Sequence, residues 1–114
     1  MKRLQGKVAI VTGAAGDIGR AIIRCFEAQG ANVLGVDISM DGEGHCDVGD
    51  AASASAAVKR AEQKFGALHI LINNAATVTP YVPVTELDEA DWRRTLDVNL
   101  TGADLLVDGG YSAQ

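Results

Sequence analysis

Large rings are scarce in this chain. Aromatic residues make up 4% of its 114 positions, so the interior must be built from Val, Ile, Leu and Ala rather than around stacked rings. Positive charge is also short. Ten Lys and Arg face fifteen Asp and Glu, for a formal net charge of -5 and a pI near 4.8. Such an acidic balance excludes the phosphate-neutralising surface that a nucleic-acid partner requires. The two cysteines, Cys25 and Cys46, fall in different expected elements without Cys-x-x-Cys spacing. No disulfide scaffold is expected, and free thiols point to a cytoplasmic setting. No apolar run reaches the ~20 residues that cross a bilayer. The run after Lys2 and Arg3 is too short and too Gly-bounded for a signal peptide, so no membrane role is expected.

What the chain does have is apolar content of 47% and 13 glycines, the composition of one compact α/β domain over residues 1–114. Lys7–Val11 is a continuous apolar run ending at Thr12-Gly13, as in a strand covered on both faces. Ile18, Ala21, Ile22, Cys25 and Phe26 recur at helical spacing, with Gly30 as a stop. Strands are expected at Asn32–Ile38, Leu68–Asn73 and Ala103–Val107, with a short edge strand at Cys46–Val48. Asp50 can cap a helix over Ala51–Phe65 closed by Gly66. Thr85 or Asp88 can cap a last helix with a buried stripe of Trp92, Leu96 and Asn99 or Leu100, ended by Thr101-Gly102. Strands alternating with helices imply an α/β fold, a minimal doubly wound Rossmann-type parallel sheet of about five strands flanked by helices. The expected order across the sheet is Cys46–Val48, Asn32–Ile38, Lys7–Val11, Leu68–Asn73, Ala103–Val107.

The stretch Val11–Gly19, VTGAAGDIG, follows a strand and opens a helix. Free N–H groups and the partial positive charge of a helix N-terminus suit a pyrophosphate there, and glycines let it approach the backbone. Asp37 closes the second strand about 20 residues further on, where a carboxylate accepts hydrogen bonds from both hydroxyls of an adenosine ribose. The same charge repels the extra phosphate of NADP, and the loop holds no Lys or Arg to attract it. NAD is therefore the expected cofactor. The alternatives are a Gly-rich turn without a ligand and a solvated Asp at a strand end.

Taken together, these segments resemble the short-chain dehydrogenase/reductase superfamily. Thr12-Gly13-Ala14-Ala15-Gly16-Asp17-Ile18-Gly19 is similar to its TGxxxGxG loop, and Asn73-Asn74-Ala75-Ala76 to its NNAG segment. Asp97-Val98-Asn99-Leu100-Thr101-Gly102 resembles the helix that carries the family's Asn. Asp47-Val48 resembles the pair lining its adenine pocket, and the segment from Leu105 to Gln114 its last strand and turn. The resemblance implies cofactor contacts from Gly13, Ala15, Gly16, Asp17, Ile18, Gly19, Asp37, Ile38, Asp47, Val48, Asn74, Ala75 and Ala76.

Two departures carry consequences. The loop's middle Gly falls on Asp17 and is displaced to Gly16, so a carboxylate there is expected to cap the helix and compete with phosphate. The family also carries a Ser, and a Tyr four residues before a Lys, between the Asn helix and the last strand. Here Gly102 runs straight into Ala103, and neither Tyr81 nor Tyr111 has a Lys four residues on. The pattern resembles an in-frame internal deletion. Asn99 is the one remnant of the family's catalytic set and is expected to be structural. No catalytic residue is assigned.

The expectation is an NAD(H)-binding truncated member in which ordinary carbonyl or alcohol hydride transfer is lost or very weak. Two alternatives stand beside it: an active NAD-dependent oxidoreductase with an unorthodox proton donor, and a non-catalytic interaction module. A homo-oligomer is expected, because the family's Asn-bearing helix helps form a dimer interface. No metal site is expected from His45-Cys46-Asp47, since adjacent strand residues point to opposite faces. His69 reads as a buried or strand-end residue, Trp92 as core or interface, and Arg93, Arg94 and Asp97 as a solvated helix face.

Overall fold

The run VAIVT becomes the central strand, β1 (Val8–Thr12), because every residue in it is covered on both faces. The structure is a computed structural model that describes residues 2–77 and 81–103. β2 (Asn32–Val36) pairs parallel with one edge of β1 and β3 (Ile70–Ile72) with the other, in the order β2-β1-β3. Helix α1 (Asp17–Ala28) connects β1 to β2, and α2 (Ala51–Phe65) lies between β2 and β3. The first connection moves one way across the sheet and the second moves back. Right-handed crossovers therefore place the two helices on opposite faces.

Alternation along β2 agrees with that arrangement. A Cβ on Gly35 would stand 2.9 Å from Ile23 Cδ1 of α1, so Gly35 lies under α1. Its neighbours Leu34 and Val36 face the other way, into a core with Ile10 and the α2 residues Ala54, Ala57 and Ala61. The small α2 stripe brings that helix close to the sheet. α2 begins as expected, with the Asp50 carboxylate accepting the Ser53 N–H at 3.0 Å, and ends at Gly66, whose φ of 86° only glycine adopts freely.

The sheet is smaller than expected, with three strands among the described residues rather than about five. Cys46–Val48 forms no strand; only an isolated bridge joins Asp37 to His45. The segment is committed to the turn into α2. Its Asp47 N–H donates to Ser53 Oγ at 2.9 Å, and its Asp47 carbonyl accepts from the Asp50 N–H at 3.0 Å. β3 is half the expected length because side chains take over at both ends. Below it, His69 N–H donates to the Val8 carbonyl while the Val8 N–H donates to His69 Nδ1, both at 2.9 Å. Above it, the Asn74 N–H donates to Thr12 Oγ1 at 3.0 Å. His69 is thus an exposed strand-end residue whose ring supplies a rung of the ladder.

The last helix also departs from expectation. Asp88, not Thr85, caps α3 (Glu89–Leu96), with its carboxylate accepting the Ala90 N–H at 2.9 Å. The helix widens into a π turn over Asp97–Thr101 and stays helical through Gly102 and Ala103. Gly102 is therefore no stop. A Cβ there would lie 2.7 Å from the Val48 carbonyl, so the glycine serves close packing. Ala103 does not begin a strand, and residues 104–107 of that expected strand lie outside the described residues. The face carrying Val98 and Gly102 is the buried one, against Val48. Trp92, Leu96, Asn99 and Leu100, expected in the core, are exposed.

Because an N–H can only donate, His69 Nδ1 must be the unprotonated ring nitrogen. His69→Leu strands the buried Val8 N–H and should lower unfolding free energy by about 1–3 kcal/mol in denaturant titrations. An unchanged midpoint would remove the ring from the ladder.

Candidate functional site

Where β1 ends, the chain must turn sharply to start α1, and it does so at Gly13, whose φ is 67°. A Cβ on Gly13 would come within 2.8 Å of Asn74 Nδ2, and one on Gly19 would collide with the Gly13 carbonyl. Gly16 is the N-cap of α1, and no side chain caps the helix. The first-turn N–H groups are left without side-chain acceptors, the condition in which a helix start receives an anion. Asp17 does not make the expected cap. It occupies the first turn, one position too late to reach back over those donors.

Thr12 holds this loop in place. Its hydroxyl is buried and uses its full capacity, donating to the Ile72 carbonyl at 3.3 Å and accepting from the Asn74 and Ala75 N–H groups at 3.0 and 2.9 Å. Asn74 returns the contact, with Nδ2 donating to the Thr12 and Gly13 carbonyls at 3.1 and 3.3 Å. The loops after β1 and β3 are thereby locked side by side. Further along, Asn99 Oδ1 accepts the Thr77 N–H at 2.8 Å, and its Nδ2 donates to the Thr77 carbonyl at 2.9 Å. Both ends of the Asn99 amide are spent fastening the π turn to the post-β3 loop.

Asp37 follows β2 directly. Its Oδ2 accepts the Ala15 N–H at 3.1 Å, and its Oδ1 accepts the Ser39 N–H and Oγ–H at 3.0 and 2.9 Å. Burial alone would raise its pKa, but the Ser39 amide, the Ala15 amide and the Ser39 hydroxyl outweigh it and hold the carboxyl below its ordinary value. Asp37 is thus a charged group tied to the glycine loop.

These elements enclose one cavity of about 570 Å³. Of the residues singled out in the sequence, Gly13, Gly16, Asp17 and Ile18 line it from the loop, and Asp37, Ile38, Asp47 and Val48 from the β2 side. Asn74, Ala75 and Ala76 line it from the post-β3 segment. Ala15 and Gly19 do not; one tethers Asp37, and the other packs under the loop. Cys46 also lines the wall. Burial pushes its thiol pKa up, and it donates to the Ser53 carbonyl. His45 turns elsewhere, with Nδ1 bonded to the Met40 carbonyl at 3.1 Å. Among the described residues, no three metal-ligating side chains converge, and no helix is long and apolar enough to cross a membrane.

Two residues do more at the site than their sequence reading gave them: Thr12, read only as part of the glycine loop, and Arg94, expected with Arg93 and Asp97 on a solvated helix face. Thr12 carried a usable signal, a hydroxyl at the end of an otherwise apolar buried strand. Arg94 did not, because its helical spacing groups it with Arg93. Arg93 does pair within its own exposed face, with Glu89 at 2.9 Å. Arg94 instead reaches across the cavity to Asp47 at 3.3 Å.

A family model described as short chain dehydrogenase matches residues 7–110. D-threitol dehydrogenase of Mycolicibacterium smegmatis is 40% identical over 91% of this chain and 46% of its own length. A short-chain dehydrogenase/reductase, glucose/ribitol dehydrogenase, from Brucella melitensis superposes with a TM-score of 0.85 at 31% identity, over 99% of this chain and 54% of its own. The 3-ketoacyl-(acyl-carrier-protein) reductase from the same organism, solved with NADH, also gives 0.85 at 30% identity, over 92% and 48%. The chain spans about half the length of the curated relatives it matches.

Thr12→Val keeps the shape, leaves the Ala75 N–H without its acceptor, leaves the Asn74 N–H only the Ile72 carbonyl at 3.1 Å, and removes the donor to that carbonyl. It should cost about 2–4 kcal/mol by chemical denaturation, while Thr12→Ser should lose less than about 1.5 kcal/mol. Equal losses in the two variants would show that the hydroxyl is not the fastener.

Proposed function

The chain belongs to the short-chain dehydrogenase family, and we propose that it is a dinucleotide-binding unit that takes NAD(H) in preference to NADP(H). The observation that carries this reading is the Asp37 carboxylate, charged and tethered to the glycine loop through the Ala15 N–H. The carboxylate therefore shares one cavity with the loop where a diphosphate would meet α1. Vicinal hydroxyls donate to it, and a 2′-phosphate is repelled. Uncapped first-turn amides of α1 receive the diphosphate, and the glycines leave room for it. Asp47 and Val48 offer an acceptor and a donor for the base. When bound, the nicotinamide supplies hydride chemistry.

The chain's own residues then hold and orient the dinucleotide. A carbonyl accepting hydride also needs a proton, and no Tyr in this sequence stands four residues before a Lys. We read ordinary carbonyl and alcohol hydride transfer by this chain as lost or very weak. Asn99 fastens the loop that would face the nicotinamide through both polar ends of its amide, a holding role and not a proton-transferring one. The one-domain organisation and the cytoplasmic setting belong to the same reading, the latter on two free thiols. So does self-association. Trp92, Leu96 and Leu100 recur every fourth residue on the exposed side of the last helix, an apolar stripe suited to a second copy.

Calorimetric titration should show NADH binding more tightly than NADPH, with Asp37→Asn narrowing that ratio about tenfold or more. The Asp37 pKa is lowered. NADH affinity should therefore be level above the ordinary carboxylate range and fall only as pH drops through that lowered value. Absence of NADH binding, or a ratio that Asp37→Asn leaves unmoved, contradicts the reading. In sedimentation at micromolar concentration the chain should run as a dimer or larger, and Trp92→Glu should shift it to monomer. A monomeric parent would count against self-association.

A further inference from the structure

We propose that Arg94 is a positioning residue for base recognition. By holding the Asp47 carboxylate, it sets the cavity's preference for a 6-aminopurine over a 6-oxopurine. The inference rests on the dinucleotide reading above and extends it to a residue outside the glycine loop and its partners. Asp47 stands just before α2 and Arg94 lies on α3, so the two reach the cavity from separate elements. Arg94 Nη1 lies 3.4 Å from Asp47 Oδ1 and 3.3 Å from Oδ2.

The rest of Asp47 is already fixed. Its N–H donates to Ser53 Oγ at 2.9 Å, its carbonyl accepts from Asp50, and the Gly49 N–H donates to Oδ1 at 3.0 Å. Oδ1 therefore has two donors and Oδ2 has one. A carboxylate oxygen accepts about two hydrogen bonds, so the remaining acceptor site belongs to Oδ2. Among the described residues the adjacent Val48 N–H makes no hydrogen bond. The cavity thus offers an acceptor and a donor side by side. A 6-aminopurine presents the complement, an amino donor beside the N1 acceptor. A 6-oxopurine presents the reverse, an acceptor beside an N–H, and leaves both protein groups mismatched.

Without Arg94 the carboxylate keeps only the Gly49 contact on one oxygen and can swing about its own side-chain bonds. Discrimination then weakens even though Asp47 is still present. The Arg94 and Asp47 side chains are 45% and 28% exposed. A pair so exposed contributes little to stability, so its removal leaves the fold intact.

The test titrates the unmodified chain, Arg94→Gln and Arg94→Lys with NADH and with its reduced hypoxanthine analogue, which differs only in carrying a 6-oxo group. The unmodified chain should prefer NADH by about tenfold, Arg94→Gln should reduce that to about threefold or less, and Arg94→Lys should restore part of it. A purely structural role would weaken both ligands equally and leave the ratio alone. A ratio unchanged in Arg94→Gln, or equal binding of the two dinucleotides by the unmodified chain, overturns the role of Arg94 while the cofactor reading stands. A chain that binds neither dinucleotide overturns the cofactor reading itself.

Discussion

The Thr12 hydroxyl is the constraint on which the rest of the structure depends. β1 and β3 share only three paired positions, too few to bring the loops beyond them into a fixed relation. One side-chain oxygen supplies that relation with three hydrogen bonds, at a point where the backbone ladder has run out. The glycine loop and the post-β3 segment then form adjoining walls of one cavity. Removing the hydroxyl strands the part-buried Ala75 amide and leaves the Asn74 amide only its Ile72 carbonyl contact, whereas removing a surface ion pair strands nothing. That asymmetry is why a single Thr outweighs the exposed ion pairs of this chain.

Side-chain groups doing the work of backbone is a repeated device here. His69 extends the β1–β3 ladder with its ring, Asn74 clamps two loop carbonyls, and Asn99 pairs with both polar groups of Thr77 as a neighbouring strand would. Each lets a short sheet end abruptly without leaving buried donors unpaired. The cavity collects around those endings. Its charge pattern follows: uncapped amides at α1, a tethered anion at Asp37, and an anion shared with Arg94 at Asp47.

Much of this was legible from the residues alone. The all-apolar β1, the Asp50 and Gly66 ends of α2, the Gly13 turn and Asp37 at the end of β2 each follow from a local rule that nothing distant overrides. Eleven of the thirteen residues singled out for the cofactor line one cavity, because they lie just past strand ends, where parallel sheets open. What failed was decided by tertiary contact. Cys46–Val48 is β-like in sequence but is drawn into the α2 turn by Ser53. Gly102 looks like a stop but is a packing contact with Val48, so the helix runs on. The Trp92 stripe is apolar at helical spacing, but the face with Val98 and Gly102 is the one that packs. Arg94 was invisible because its partner lies 47 residues away.

If the loop held by Thr12 and the anion at Asp37 form one dinucleotide site, both must respond to the same ligand at the same concentration. Backbone amide NMR during NADH titration tests this most directly. Resonances of Ala15 through Gly19, Ile38 and Val48 should shift together along a single saturation curve, while those of the α2 C-terminal turn near Phe65 and Gly66 stay still. Shifts confined to other surfaces, or separate curves for the loop and the Asp37 side, would contradict it.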